Sequence, residues 1–139
     1  MPETEKLLYT AKVHTTGGRE GGHAQSSDNR LDVRLSVPGA PGSGTNPEQL
    51  FAAGWSACFE SAMAFVARKA KIALPPNYAI DAEVDLNSGN DGFFLRARLN
   101  ISLPGMEREA AQRLVAEAEK TCPYSKATRG NIDVAINLI

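Results

Sequence analysis

Residues 50–67, LFAAGWSACFESAMAFVA, carry one charge, Glu60. No other feature limits the fold as much. A run this long and this apolar is close to the shortest bilayer-spanning helix, which needs about 17 residues. Glu60 and the many small side chains argue against a membrane, as does the lack of a second such run. A helix buried within protein is the expectation. Its start is well marked. Asn46 suits the N-cap, Pro47 the first helical position, and Gln49 the return position of a capping box. The helix signal runs to about Lys71, with Arg68, Lys69 and Lys71 at the negative end of its dipole. The LPPN segment closes it.

Such a helix needs a cover, and the rest of the chain reads as strands. Residues 7–16 alternate loosely, with Tyr9, Ala11 and Val13 on one face. The loop GGREGG, Gly17 to Gly22, breaks that run, and loops of this kind bring backbone or side chain close to a ligand. A short strand is expected over 23–27. Residues 30–38 alternate cleanly, with Leu31, Val33, Leu35 and Val37 on one face. After the helix, Ile80, Ala82, Val84 and Leu86 pair with Leu95, Ala97, Leu99, Ile101 and Leu103 in a hairpin turning at NSGNDG. A second, amphipathic helix follows, with Met106, Ala110, Leu114 and Ala118 on its stripe. Pro123 ends it just after Cys122. The last strand carries Ile132, Val134, Ile136 and Leu138. The order predicts an α+β fold, helices packed on antiparallel sheets, in one domain over 1–139.

Charge excludes several functions. With 15 basic and 16 acidic residues, the net charge of −1 gives no basic excess for nucleic acid. The N-terminus is charged early and has no signal-peptide core, so a soluble cytoplasmic protein is expected. The histidines are His14 and His23, and the cysteines are Cys58 and Cys122. Their spacing fits neither a thioredoxin motif nor a zinc knuckle, so no metal or cofactor is expected.

Taken alone, Cys58 sits among Gly54, Trp55, Ala57, Phe59 and Ala62, surroundings that raise a thiol pKa and silence it. Cys122 offers a second reading. It lies at the end of a helix, and two cysteines on packed helices suit a peroxidatic and resolving couple. Composition leaves open whether they meet. A buried thiolate also needs a positive partner. Arg19, between glycines, is either that partner or a solvated loop residue. Glu48 is either part of the same site or a stabiliser of the helix dipole.

Three segments together resemble one family. TNPEQLFAAGWSACF (45–59), TGGREG (16–21) and CPYSKATRGN (122–131) are similar to the organic hydroperoxide resistance (Ohr) proteins of the OsmC/Ohr superfamily, over nearly the whole chain. CPYSKATRGN resembles the Ohr branch. The resemblance implies an intertwined homodimer with antiparallel sheets packed around two long helices. It implies a thiol peroxidase for organic hydroperoxides, recycled by a lipoylated protein or dihydrolipoamide. It implies Cys58 as peroxidatic cysteine, Cys122 as resolving cysteine, and Arg19 and Glu48 completing the site. Trp55, Phe59, Phe65 and Phe51 then line an apolar channel or simply pack the core.

Geometry adds one demand. In an unbroken helix Glu48 and Cys58 stand about 15 Å apart and roughly 80° around the axis, too far for one arginine to touch both. Either the helix breaks near Gly54 to Ser56, or Glu48 comes from a partner subunit; the break is preferred, because Gly54 and Ser56 are poor helix residues. Two rival readings remain: a redox sensor passing the same disulfide to a partner, and a structural dimer with inert cysteines.

Overall fold

The computed structural model describes residues 5–139, and the chain divides between Pro47 and Glu48 into two compact units. The first unit holds β1 (Val13–Thr16), β2 (His23–Ser26) and β3 (Asp32–Arg34), an antiparallel sheet in the order β1-β2-β3. Leu35, just past β3, is buried and bridges Thr45. The expected strand from Leu7 is shortened. Pairing begins at Val13, where β2 supplies partners, and Leu7, Leu8 and Tyr9 stay exposed. Between β1 and β2 the loop folds tightly on itself. A Cβ on Gly22 would lie 2.1 Å from the Gly18 carbonyl oxygen, so only glycine fits there.

The second unit takes up α1, Pro47–Ala70, from Glu48 onward; the helix starts at the proline that the sequence marks. The helix runs unbroken from Pro47 to Ala70, so the expected break at Gly54 to Ser56 does not occur. Two local contacts account for this. The Ser56 hydroxyl donates back to the Ala52 carbonyl at 2.7 Å, inside the helix rather than against it. Gly54 is there for its size: a Cβ on it would stand 3.1 Å from the Tyr124 hydroxyl oxygen. At the far end Lys71 takes a left-handed φ of 58°. The Ile72 N–H donates to Ala67 and the Lys71 N–H to Arg68, so the helix ends in a Schellman motif. By length and composition α1 is able to cross a membrane. In this fold, however, Trp55, Phe59, Ala62, Met63 and Ala67 bury themselves in a protein core.

That core is closed by β4 (Ala79–Gly89), β5 (Gly92–Ser102) and β6 (Asp133–Leu138), in the order β4-β5-β6. The hairpin is antiparallel and turns between paired Gly89 and Gly92. β6 runs parallel to β5, so the sheet is mixed and the all-antiparallel expectation is corrected. The reason is the long crossover, α2 (Arg108–Thr121) and α3 (Pro123–Thr128), which returns the chain in the same direction. Ala97, Leu99 and Ile101 of β5 are buried on the inner face. On α2 the buried stripe is Ala111, Leu114, Val115 and Ala118, rotated slightly from the expected one. The outer face of the sheet is polar. Arg98 grips Asp85 in a bidentate pair at 2.8 and 2.9 Å and also donates to Glu83. Through that pair Arg98 holds the Asp85 carboxyl below its ordinary range.

Candidate functional site: a pair of thiols between α1 and α3

Cys58 is half-buried on α1, between the fully buried Trp55 and Phe59. Cys122 is fully buried at the joint of α2 and α3. Its backbone is held on both sides. The N–H donates to Ala118 at 2.8 Å, and the carbonyl accepts from the Lys126 N–H at 3.0 Å. Pro123 occupies the first position of α3, where its missing N–H costs nothing. The proline expected to stop one helix therefore also starts the next.

The two sulfurs, 64 residues apart in sequence, lie 3.4 Å from each other, with the Cys122 thiol donating to Cys58. Both are free thiols. A disulfide needs an S–S separation of about 2.05 Å, so a closing movement of only about 1.4 Å separates this pair from a bond. Burial pushes the Cys58 thiol above its ordinary value of 9.0. The backbone N–H of Tyr124 opposes this by hydrogen-bonding the sulfur, and Cys122 adds to the rise.

Around the sulfurs, α1 and α3 are joined by aromatic and polar contacts. The buried Trp55 indole N–H donates to the Ser125 hydroxyl at 3.0 Å. Phe51 lies 5.4 Å from the Trp55 ring and 6.2 Å from Tyr124. Trp55 and Phe59 have no exposed surface and serve as core, while Phe65 is half exposed. Tyr124 and Ser125 are the residues that sequence reasoning missed. Their signal lay in the CPYS stretch, where a proline at the first helical position announces a helix rather than a loop.

Glu48 sits in the first turn of α1, ten residues before Cys58 on a continuous helix. The structure therefore brings Cys58 and Cys122 together and keeps Glu48 about 15 Å back along the axis. Arg19 is half-buried in the glycine loop of the first unit. Glu60 is half-buried and more than half a turn around the helix from Cys58. Among the described residues no group of three or more His, Cys, Asp or Glu side chains is placed to hold a metal ion.

A family model described as OsmC-like protein matches residues 39–137. The organic hydroperoxide resistance protein of Xanthomonas axonopodis pv. citri (strain 306) is 51% identical over 142 residues, covering 99% of each chain. The crystal structure of the organic hydroperoxide resistance protein OhrB of Bacillus subtilis superposes with a TM-score of 0.89 at 43% identity, over 96% of this chain and 100% of that one. A putative organic hydroperoxide resistance protein of Vibrio cholerae O1, crystallised with captopril bound in one of its active sites, gives a TM-score of 0.89 at 38% identity, over 98% and 95% of the two chains. By sequence over its full length and by fold, this chain belongs to the OsmC/Ohr family, among the organic hydroperoxide resistance proteins.

Proposed function

We propose that the chain protects against organic hydroperoxides as a two-cysteine thiol peroxidase. The observation that carries this reading is the 3.4 Å approach of the Cys58 and Cys122 sulfurs. The Cys58 thiolate attacks the terminal peroxide oxygen, the O–O bond breaks, and an alkoxide leaves to take a proton as the alcohol. Cys58 becomes a sulfenic acid. Cys122 then attacks that sulfur, hydroxide leaves as water with the Cys122 proton, and the Cys58–Cys122 disulfide forms. A dithiol of the dihydrolipoyl type, supplied by a lipoylated protein or dihydrolipoamide, returns two electrons by thiol–disulfide exchange.

By the family pattern, Arg19 supplies the positive charge that keeps Cys58 ionised and stabilises the leaving oxygen; because α1 is unbroken, the reading has Glu48 of the partner subunit, rather than that of the same chain, orient Arg19. A counter-charge offsets the burial that raises the Cys58 thiol. The reading includes a cytoplasmic homodimer. Support for the dimer comes from the inner face of the β4–β5 hairpin. That face continues past the core through Leu86 and Phe93, both exposed, and α1 presents Phe65 beside its buried stripe.

The test is turnover of cumene hydroperoxide with dihydrolipoamide. Wild-type protein is expected to consume many equivalents, Cys58→Ser none, and Cys122→Ser one equivalent to the sulfenic acid, with one further equivalent for each higher oxidation state and no turnover. A single stoichiometric oxidation by the wild type, without turnover, supports the redox-sensor reading instead. Full activity in Cys58→Ser would falsify the assignment of the attacking thiol.

A further inference from the structure

The backbone of Cys122 is tied on both sides, its N–H to α2 and its carbonyl to α3, so its α-carbon, and with it the reach of its sulfur, goes where α3 goes. The seat of α3 on α1 is set one helical turn from the sulfurs on each side. Trp55 precedes Cys58 by three positions, and Ser125 follows Cys122 by three. These two residues are joined by the 3.0 Å bond from the indole N–H to the hydroxyl, and both are buried. Beside that bond, Tyr124 lies against the bare α-carbon of Gly54, where an added Cβ would come within 3.1 Å of its hydroxyl oxygen. Two contacts between α1 and α3 thus fix the register of the two thiols.

We propose that Gly54 and Trp55 on α1, with Tyr124 and Ser125 on α3, form a positioning lock that sets how fast Cys122 closes on the oxidised Cys58. The lock deepens the peroxidase reading and rests on it for the source of the sulfenic acid. Its geometry also governs disulfide closure by any oxidant. The remaining travel of the sulfurs is about 1.4 Å, and a misplacement of about 1 Å is enough to cost up to about 100-fold in rate. A lock lost or shifted leaves the sulfenic acid standing longer, exposed to a second peroxide and to irreversible sulfinic acid. None of the four residues touches the peroxide in this scheme; they are positioning residues.

The sharpest variant is Gly54→Ala. Alanine is the better helix former, so helix stability is not lost. Its methyl nevertheless pushes on the Tyr124 hydroxyl. Gly54→Ala/Tyr124→Phe removes that hydroxyl and leaves ring atoms at 3.5 and 3.6 Å, ordinary contact distances. Ser125→Ala removes the acceptor of the indole N–H. Each protein is oxidised without reductant. One arm uses one equivalent of cumene hydroperoxide, with dimedone trapping the sulfenic acid and mass spectrometry counting the disulfide. The other arm uses diamide, which takes both thiol hydrogens and forms the disulfide without any peroxide.

Gly54→Ala and Ser125→Ala are expected to lower the ratio of disulfide closure to Cys58 oxidation by about 10- to 100-fold, with dimedone adduct rising in step. They are also expected to slow diamide closure. Tyr124→Phe is expected to restore Gly54→Ala. Closure ratios close to wild type in both single variants, with melting curves showing them folded, overturn the lock. So does a failure of Tyr124→Phe to rescue Gly54→Ala. If wild type closes with diamide but ignores hydroperoxide, the peroxidase reading falls, and the diamide arm alone decides the lock.

Discussion

Burial raises the Cys58 thiol, the Tyr124 N–H lowers it, and Cys122 raises it again; the balance of these three is upward. That balance has a consequence for stability. An unfolded Cys58 ionises near the ordinary thiol value of 9.0, while the folded one still holds its proton. Between those two values the folded state binds more protons than the unfolded one, so stability falls as pH rises. Below 9.0 the two states bind alike and the effect is absent. With the Arg19 counter-charge removed, Arg19→Ala is therefore expected to lose stability above pH 9.0 more steeply than Arg19→Ala/Cys58→Ser, read from urea midpoints of the reduced proteins across the alkaline range. Parallel curves for the two proteins would show that the thiol is not raised. Little of this was legible in the sequence. The apolar neighbours of Cys58 announce a raised thiol, but the Tyr124 N–H that opposes it comes from a segment 66 positions later. No spacing rule links the two.

The elements show where local signals suffice and where they mislead. Asn46 and Pro47 place the start of α1 because capping is a local interaction. The alternation of Ile80 through Leu103 locates the hairpin because a strand repeats every second residue. Alternation is blind to direction, however, so the parallel pairing of β6 could not be read from Ile132, Val134, Ile136 and Leu138. Gly54 was misread for a related reason. Propensity weighs a residue against its own helix, whereas Gly54 answers to a tyrosine on another. At the end of α1, Lys71 occupies a left-handed position that favours glycine. A left-handed backbone costs a side-chain-bearing residue about 1–2 kcal/mol, partly offset because glycine gains freedom when unfolded. Lys71→Gly is expected to raise stability by about 0.5–1 kcal/mol in urea unfolding. An unchanged or lower midpoint would mean that the Schellman turn carries no such strain.

At the scale of the whole molecule, the core of the second unit is unevenly covered. Ala97, Leu99 and Ile101 disappear under the helices, but farther along the same face of β5 Phe93 is 81% exposed. Side chains of one parity share one face of a strand, so Phe93 belongs to the core side. A second copy of this chain is the occupant that the dimer reading assigns. Wild-type protein is expected to sediment as a dimer, and Phe93→Asp together with Phe65→Asp to shift it toward monomer. A monomeric wild type at micromolar concentration would remove the dimer from the proposed function.

The direction of β6 carries a last consequence, one of timing. A parallel strand docks beside β5 only after the intervening chain has looped back, and that chain is α2 and α3 with Cys122 at their joint. As the polypeptide is synthesised, Cys58 emerges 64 residues ahead of the sulfur it is to meet. Non-local pairings of this kind form late, because loop closure has to be paid for first. A half-made chain thus carries Cys58 as an ordinary thiol beside an unfinished sheet. In the peroxidase reading, redox competence then arrives with the completed fold, and a nascent chain exposed to an oxidant has no Cys58–Cys122 disulfide to close prematurely.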